Sequence, residues 1–251
     1  MTVVRDRLQG SMIVVHGPPK VGKTQVVSRF PSPILWLATE IGHKYVPQEQ
    51  QEDLIQLDLD DGWAQLTTWL QANRTKKKLK FKTICVDTIS ALYDMCMKHV
   101  CAKNNWSHPS DGPHGKGWNA LKTEFINGLG RLVHIAHQNK ATLIFIDHSK
   151  QDLIETATAN IEKVVCAMSG QARGVVLPIP DHIWFLGYGE KKATDALTNT
   201  TAKRALFIGG SSTVEAGCRD PQVKTRVIMP LSKVNPYKQI VAELYGKKES
   251  K

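Results

Sequence analysis

Four apolar runs recur along the chain, and each ends abruptly in polar residues. Met12 to Val15 ends in His16-Gly17, Pro33 to Ala38 in Thr39-Glu40, Thr83 to Val86 in Asp87-Thr88, and Ala141 to Ile146 in Asp147-His148-Ser149. Such short, continuously apolar runs predict strands buried on both faces. The stretches between them carry helical periodicity. A helix-compatible segment runs from Lys23 to Phe30, and another, capped by Asp60 or Asp61, places Trp63, Leu66, Trp69 and Leu70 at intervals of three and four. A third runs from Ser90 to about Val100, and a fourth, Trp118 to Ala136, repeats Leu121, Phe125, Leu129 and Leu132. Strands alternating with helices predict an α/β fold with a mostly parallel central sheet flanked by helices, and ligands at the C-terminal ends of the strands.

The remaining chain reads less regularly. Arg74 to Lys78 is a basic run expected as a solvated connection, and Lys103 to Gly117, rich in Asn, His, Pro, Ser, Asp and Gly, reads as a loop. Lys150 to Arg173 is expected to be a flexible segment with a short helix. His182 to Leu186, Ala205 to Ile208 and Val223 to Met229 read as further strands, and Asn235-Pro236 leads into a C-terminal helix. The expected organisation is one core over residues 1–230, followed by a C-terminal helix and basic tail over 231–251.

The chemistry concentrates at the polar strand ends. Gly17-Pro18-Pro19-Lys20-Val21-Gly22-Lys23-Thr24, followed by Gln25, is a phosphate-binding loop between a strand and a helix. Backbone N–H groups and the helix dipole converge there on an anion. Lys23 is expected to reach the β- and γ-phosphates of ATP, and the Thr24 hydroxyl to ligate Mg²⁺. Asp87, ending an apolar strand, is the expected acidic partner for Mg²⁺. Its neighbour is Thr88 rather than a second acid, so a water-activating carboxylate must come from elsewhere. Glu40 is the candidate, and His148 is the candidate sensor of the γ-phosphate, with Asp147 beside it as the alternative.

Charge adds a partner class. Lys and Arg number 33 against 23 Asp and Glu, a net +10 with a pI near 9.4, as a polyphosphate ligand would require. No apolar run approaches the ~20 residues of a membrane helix, and Met1 to Gly10 lacks the apolar stretch of a signal peptide, so a cytoplasmic protein with no membrane partner is expected. The five cysteines form no CxxC pair. Cys96, His99 and Cys101 lie close in sequence, but a helix would aim Cys101 away from the other two, so thiols rather than a metal site are expected.

Taken together, the P-loop, the strand ending in Glu40, Cys85-Val86-Asp87-Thr88-Ile89-Ser90-Ala91-Leu92 and the strand ending in a polar sensor resemble the RecA/Rad51 ATPase core. Gly17-Pro18-Pro19 and Gly115-Lys116-Gly117-Trp118-Asn119 look more like the small RecA-like NTPases of bacteriophages, linked to single-strand annealing and recombination. The resemblance covers roughly residues 10–230. It implies that Glu40 activates water, that Lys23 and His148 act on the γ-phosphate, and that two segments contact single-stranded DNA. The first, 103–117, offers Lys103, Trp106, His108, His114 and Lys116; the second, 150–173, offers Lys150, Lys163 and Arg173. It also implies a homo-oligomeric ring or filament with ATP at subunit interfaces, a cation from the neighbour (Arg219, with Lys203 and Arg204 as competitors), a possible single-strand-binding protein as partner, and a bacterial host's cytoplasm. Two departures stand out. An N-terminal oligomerisation domain is not evident, which favours annealing over strand exchange, and the paired prolines are similar to AAA proteins. An AAA-like ATPase acting on a protein partner, or a nucleotide-bound scaffold with little turnover, is the alternative.

Overall fold

A computed structural model describes residues 7–40, 46–155, 160–189 and 203–246. The basic tail expected at the C-terminus falls largely outside them. Among the described residues ten strands join one sheet, ordered β10-β8-β7-β1-β5-β4-β2-β3, with β6 added to β5 and β9 to β7. The strands are β1 (Met12–Gly17), β2 (Ile34–Ala38), β3 (Leu54–Gln56), β4 (Thr83–Asp87), β5 (Thr142–Glu155), β6 (Asn160–Cys166), β7 (His182–Tyr188), β8 (Arg204–Phe207), β9 (Gly217–Cys218) and β10 (Val227–Ile228). Six consecutive neighbours, β3, β2, β4, β5, β1 and β7, pair in parallel. The later strands β8, β9 and β10 pair antiparallel.

Both faces of the parallel core are covered, and each strand divides its side chains between them with the period of two that a pleated strand imposes. Leu35, Leu37, Ile84, Val86, Leu143 and Phe145 enter one apolar layer, while Ile34, Trp36, Cys85, Ile144 and Ile146 enter the other. The first layer packs under α3 (Gly62–Asn73), α4 (Ile89–Asn104), α5 (Lys116–Gln138) and α6 (Gly170–Val176). The second lies under α1 (Lys23–Val27) and α7 (Pro236–Tyr245), with Phe30 and Trp184 between them; the short α2 (Gln48–Gln51) meets it through Gln50, which accepts from the Trp36 indole. In the first layer Gly128 of α5 faces the Trp63 ring so closely that a Cβ there would lie 2.5 Å from two ring atoms. This close approach explains a glycine in a helix interior, where the residue otherwise costs about 1 kcal/mol against alanine.

Several expectations need correction. The Lys150 to Arg173 segment holds the expected short helix, α6, but its other described residues are largely strand: β5 runs on past the sheet and pairs antiparallel with β6, registered from Ser149↔Cys166 to Glu155↔Asn160. Lys150, Asp152, Glu162 and Lys163 break up the apolar residues of this arm and only its root, Val165 and Cys166, is buried, so no unbroken apolar run displays it. His148 therefore does not end its strand. The 103–117 loop is shorter than expected, since α4 reaches Asn104 and α5 starts at Lys116. Between them two tight 3₁₀ turns fold onto α5, and a Cβ on Gly117 would meet the Pro109 carbonyl at 2.0 Å. Val223 to Met229 narrows to the two-residue β10.

Candidate nucleotide-binding site

The site forms where β1, β2 and β4 end beside β5, which lies between β1 and β4 and runs on beyond them. Gly17 closes β1 against β7: a Cβ there would sit 2.2 Å from the Leu186 carbonyl oxygen, so the loop leaves the sheet through a passage only glycine fits. Lys20 and Gly22 take left-handed conformations (φ 63° and 98°), turning the loop back into α1. Lys23 is buried and donates to the Gly17 and Pro18 carbonyls at 2.8 and 3.0 Å, which hold its charge within the loop. Burial lowers the Lys23 pKa, and Asp87 opposes that shift.

Beside the lysine, Thr24 Oγ1 donates to Asp87 Oδ2 at 2.8 Å. Desolvation raises the Asp87 pKa, and the Thr24 hydrogen bond opposes that shift. No cluster of three or more His, Cys, Asp or Glu among the described residues could hold a metal by itself. Thr24 and Asp87 fit Mg²⁺ only in company with phosphate oxygens, as in P-loop sites generally.

Glu40 and His148 complete the site from β2 and β5. Their nearest atoms, Oε1 and Nε2, lie 3.7 Å apart; Thr88 Oγ1 donates to Glu40 at 3.0 Å, and His148 Nδ1 lies 3.5 Å from Lys23 Nζ. His148 beside it holds the Glu40 carboxyl below its ordinary range, and Glu40 in turn raises the His148 pKa. Lys23, Thr24, Glu40, Asp87 and His148 thus converge from the start of α1, the ends of β2 and β4, and the middle of β5.

Arg204 joins them from an unexpected direction. Its Nη1 donates to Gln25 Oε1 at 3.0 Å and lies 2.6 Å from where a Cβ on Gly22 would be. β8 therefore lays a guanidinium over the phosphate loop of its own chain. No local pattern in the sequence reveals this, because a long antiparallel return brings β8 there.

Asp147 belongs to a buried layer behind the site. It accepts from Ser90 Oγ at 2.9 Å and from Cys166 Sγ at 3.2 Å, and opposite it on β1 His16 donates Nε2 to the Glu215 carbonyl at 2.7 Å. Glu215 binds the Arg173 guanidinium, which also donates to the Cys166 carbonyl. Arg173 is thus engaged inside the chain. Trp106 is half-buried against the helical layer, while Lys103, His114, Lys116 and Lys150 are exposed and Lys163 is half-exposed. Arg219 is remote: it follows β9, which pairs with the first residues of β7, and it caps the Pro178 and Ile179 carbonyls at the end of the sheet opposite the phosphate loop. It cannot meet the nucleotide of its own chain.

A glycine-lined phosphate loop, a lysine folded into it and a threonine–aspartate pair beneath it define a P-loop NTPase. The chain belongs to the AAA domain family, whose model matches residues 9–219. It is 28% identical over 156 residues to the SPbeta prophage-derived uncharacterized protein YorG of Bacillus subtilis (strain 168), a match covering 61% of this chain and 45% of that protein. The chain thus spans less than half the length of the curated relative. No helix among the described residues is long and apolar enough to cross a membrane.

Proposed function

We propose that this protein is a RecA-like ATPase that binds single-stranded DNA and works in phage-type recombination, annealing or replication. The observation that carries the reading is the Glu40–His148 contact at 3.7 Å, above Lys23 and beside the Thr24–Asp87 pair. A carboxylate held ionised by a neighbouring imidazole is a competent general base for water. His148 lies on a strand that continues directly into the β5–β6 arm, so a change at the γ-phosphate has a covalent route to that arm. Mg²⁺, when bound by Thr24, Asp87 and the phosphates, supplies charge neutralisation. Lys23 supplies a second positive charge, and Glu40 accepts the water proton.

The +10 charge and a relative named as prophage-derived support the DNA and phage part of the reading. Exposed Lys103, His114, Lys116 and Lys150 and half-exposed Lys163 are the cations that the two segments can offer. A subunit-bridging Arg219 requires an oligomer, in which its distance from its own phosphate loop ceases to matter. The test is ATP hydrolysis with and without single-stranded DNA, compared with Lys23→Ala and Glu40→Gln. Hydrolysis stimulated by DNA and lost in both variants is expected. The AAA family match favours a second reading, an ATPase acting on a protein partner, and hydrolysis indifferent to DNA would select it.

A further inference from the structure

The positive charge is not where the DNA segments lie. The β5–β6 hairpin carries Lys150 and Lys163 against Asp152, Glu155 and Glu162, and Lys150 pairs with Asp152 at 3.6 Å. The 105–115 turns carry no lysine or arginine, and only Lys103 and Lys116 flank them. By contrast, residues 74–82 read Arg-Thr-Lys-Lys-Lys-Leu-Lys-Phe-Lys, six cations and no acid.

This ribbon is a built surface rather than a loose connection. Leu79 and Phe81 pack into the helical layer, which turns the intervening charges outward. The Leu79 N–H donates to Asn139 Oδ1 at 2.7 Å, and Asn139 Nδ2 returns a bond to the Lys76 carbonyl at 3.1 Å. The Lys82 N–H donates to the Pro33 carbonyl at 2.9 Å. The Asn139 bonds fix the ribbon to the C-terminal cap of α5, where Lys140 adds another exposed cation, and the Lys82 bond fixes its end to the start of β2. Lys80 is drawn to Asp53, whereas Arg74, Lys76, Lys77, Lys78, Lys82 and Lys140 are exposed with no acidic partner within ion-pair distance among the described residues. Because residues 74–82 precede β4 and Lys140 precedes β5, the patch occupies the end of the sheet opposite the phosphate loop.

We infer that this ribbon is the principal surface for a nucleic-acid phosphate backbone, remote from the ATP site. The inference rests on the DNA-binding reading above and names where that binding occurs. Spaced ammonium groups on a fixed backbone track successive phosphates and release condensed counterions, which makes binding steeply salt-dependent. Single and double strands share this chemistry, and the experiment separates them.

The experiment measures fluorescence anisotropy of labelled single-stranded and duplex DNA with the full chain over a salt series, in the presence of ATP and Mg²⁺. The ribbon variant K76A/K77A/K78A is compared with K103A/K116A and K150A/K163A, and fluorescent-nucleotide binding is followed in each. Each substituted ribbon side chain is exposed, so the fold and nucleotide affinity are expected to be retained. On a single strand, three lost phosphate contacts should lower the slope of log K against log salt by about 2, and affinity at 0.1 M salt by at least about tenfold. A comparable loss on duplex alone assigns the ribbon to duplex and still supports the inference. Unchanged DNA affinity and slope in the ribbon variant, with losses in the other two, overturns it while the DNA-binding reading stands. Failure of the wild-type chain to bind either DNA overturns both.

Discussion

Glu40, just past the end of β2, and His148, midway along β5, stand 3.7 Å apart although β4 separates their strands. Each shifts the other's titration: His148 lowers the Glu40 pKa and Glu40 raises that of His148. The pair's contribution to stability is fully present between the ordinary values of the two groups, about pH 4.5 and 6.5. Its contribution to stability is lost upward as pH passes the raised His148 pKa, and downward as pH passes the lowered Glu40 pKa. In Glu40→Gln the imidazolium loses its anionic neighbour, so the His148 pKa should fall. An NMR titration of the His148 ring that shows no fall would separate the two residues functionally.

Asp87 predicts opposite effects on stability and on turnover. Its folded pKa is raised by burial, so ionising it at neutral pH costs native stability in the nucleotide-free protein. Asp87→Asn should therefore raise the melting temperature without nucleotide, while hydrolysis falls by about a hundredfold or more. A variant that melts lower and still hydrolyses would contradict both halves.

Arg204 should act in its own chain. Its guanidinium is joined to Gln25 at 3.0 Å beside Gly22. Arg204→Ala should weaken fluorescent-nucleotide binding about tenfold, as expected for one charge-assisted contact to phosphate. Mixing the variant with a Lys23→Ala protein should restore nothing, because a residue acting in cis cannot be supplied by a neighbour.

Gly128→Ala sets helix propensity against packing. Alanine gains about 1 kcal/mol in a helix interior, but its methyl group would press on the Trp63 ring from 2.5 Å, and overpacking costs about 1–3 kcal/mol. A net loss of stability in denaturant unfolding is expected, with nucleotide binding retained.

Trp106 sits half-buried against the helical layer, and a Cβ on Gly112 would lie 3.2 Å from its ring. Trp106→Ala should destabilise the fold through lost burial by about 1–2 kcal/mol, read as a lower melting temperature. Unchanged melting together with a large loss of single-strand affinity would return the ring to a base-stacking role.

The parallel core was legible because its strands are buried on both faces, so Ile34–Ala38, Thr83–Val86 and Ala141–Ile146 stand out as unbroken apolar runs. The P-loop was legible because its chemistry demands fixed residues at fixed spacing, and Asp87 and Glu40 followed from the strand ends. Elements outside the core left no such trace. In the hairpin arm charges interrupt the apolar Leu153, Ile154 and Ile161, and β9 and β10 are two residues each. Arg204 and Arg219 could not be told apart, because their distance from the phosphate loop depends on how the late strands return to β7.

The length of β5 limits how any signal can leave the γ-phosphate. Its first half is locked in register between β1 and β4, from Met12↔Leu143 to Gly17↔His148 on one side and from Thr83↔Thr142 to Asp87↔Ile146 on the other. Sliding by one residue would exchange every buried side chain with one from the opposite face, a change the packed layers forbid. Beyond Ser149 the root of the arm is tied as well, because Val164 exchanges backbone bonds with Thr213 and Glu215, so the strand beneath the γ-phosphate site cannot move as a piston.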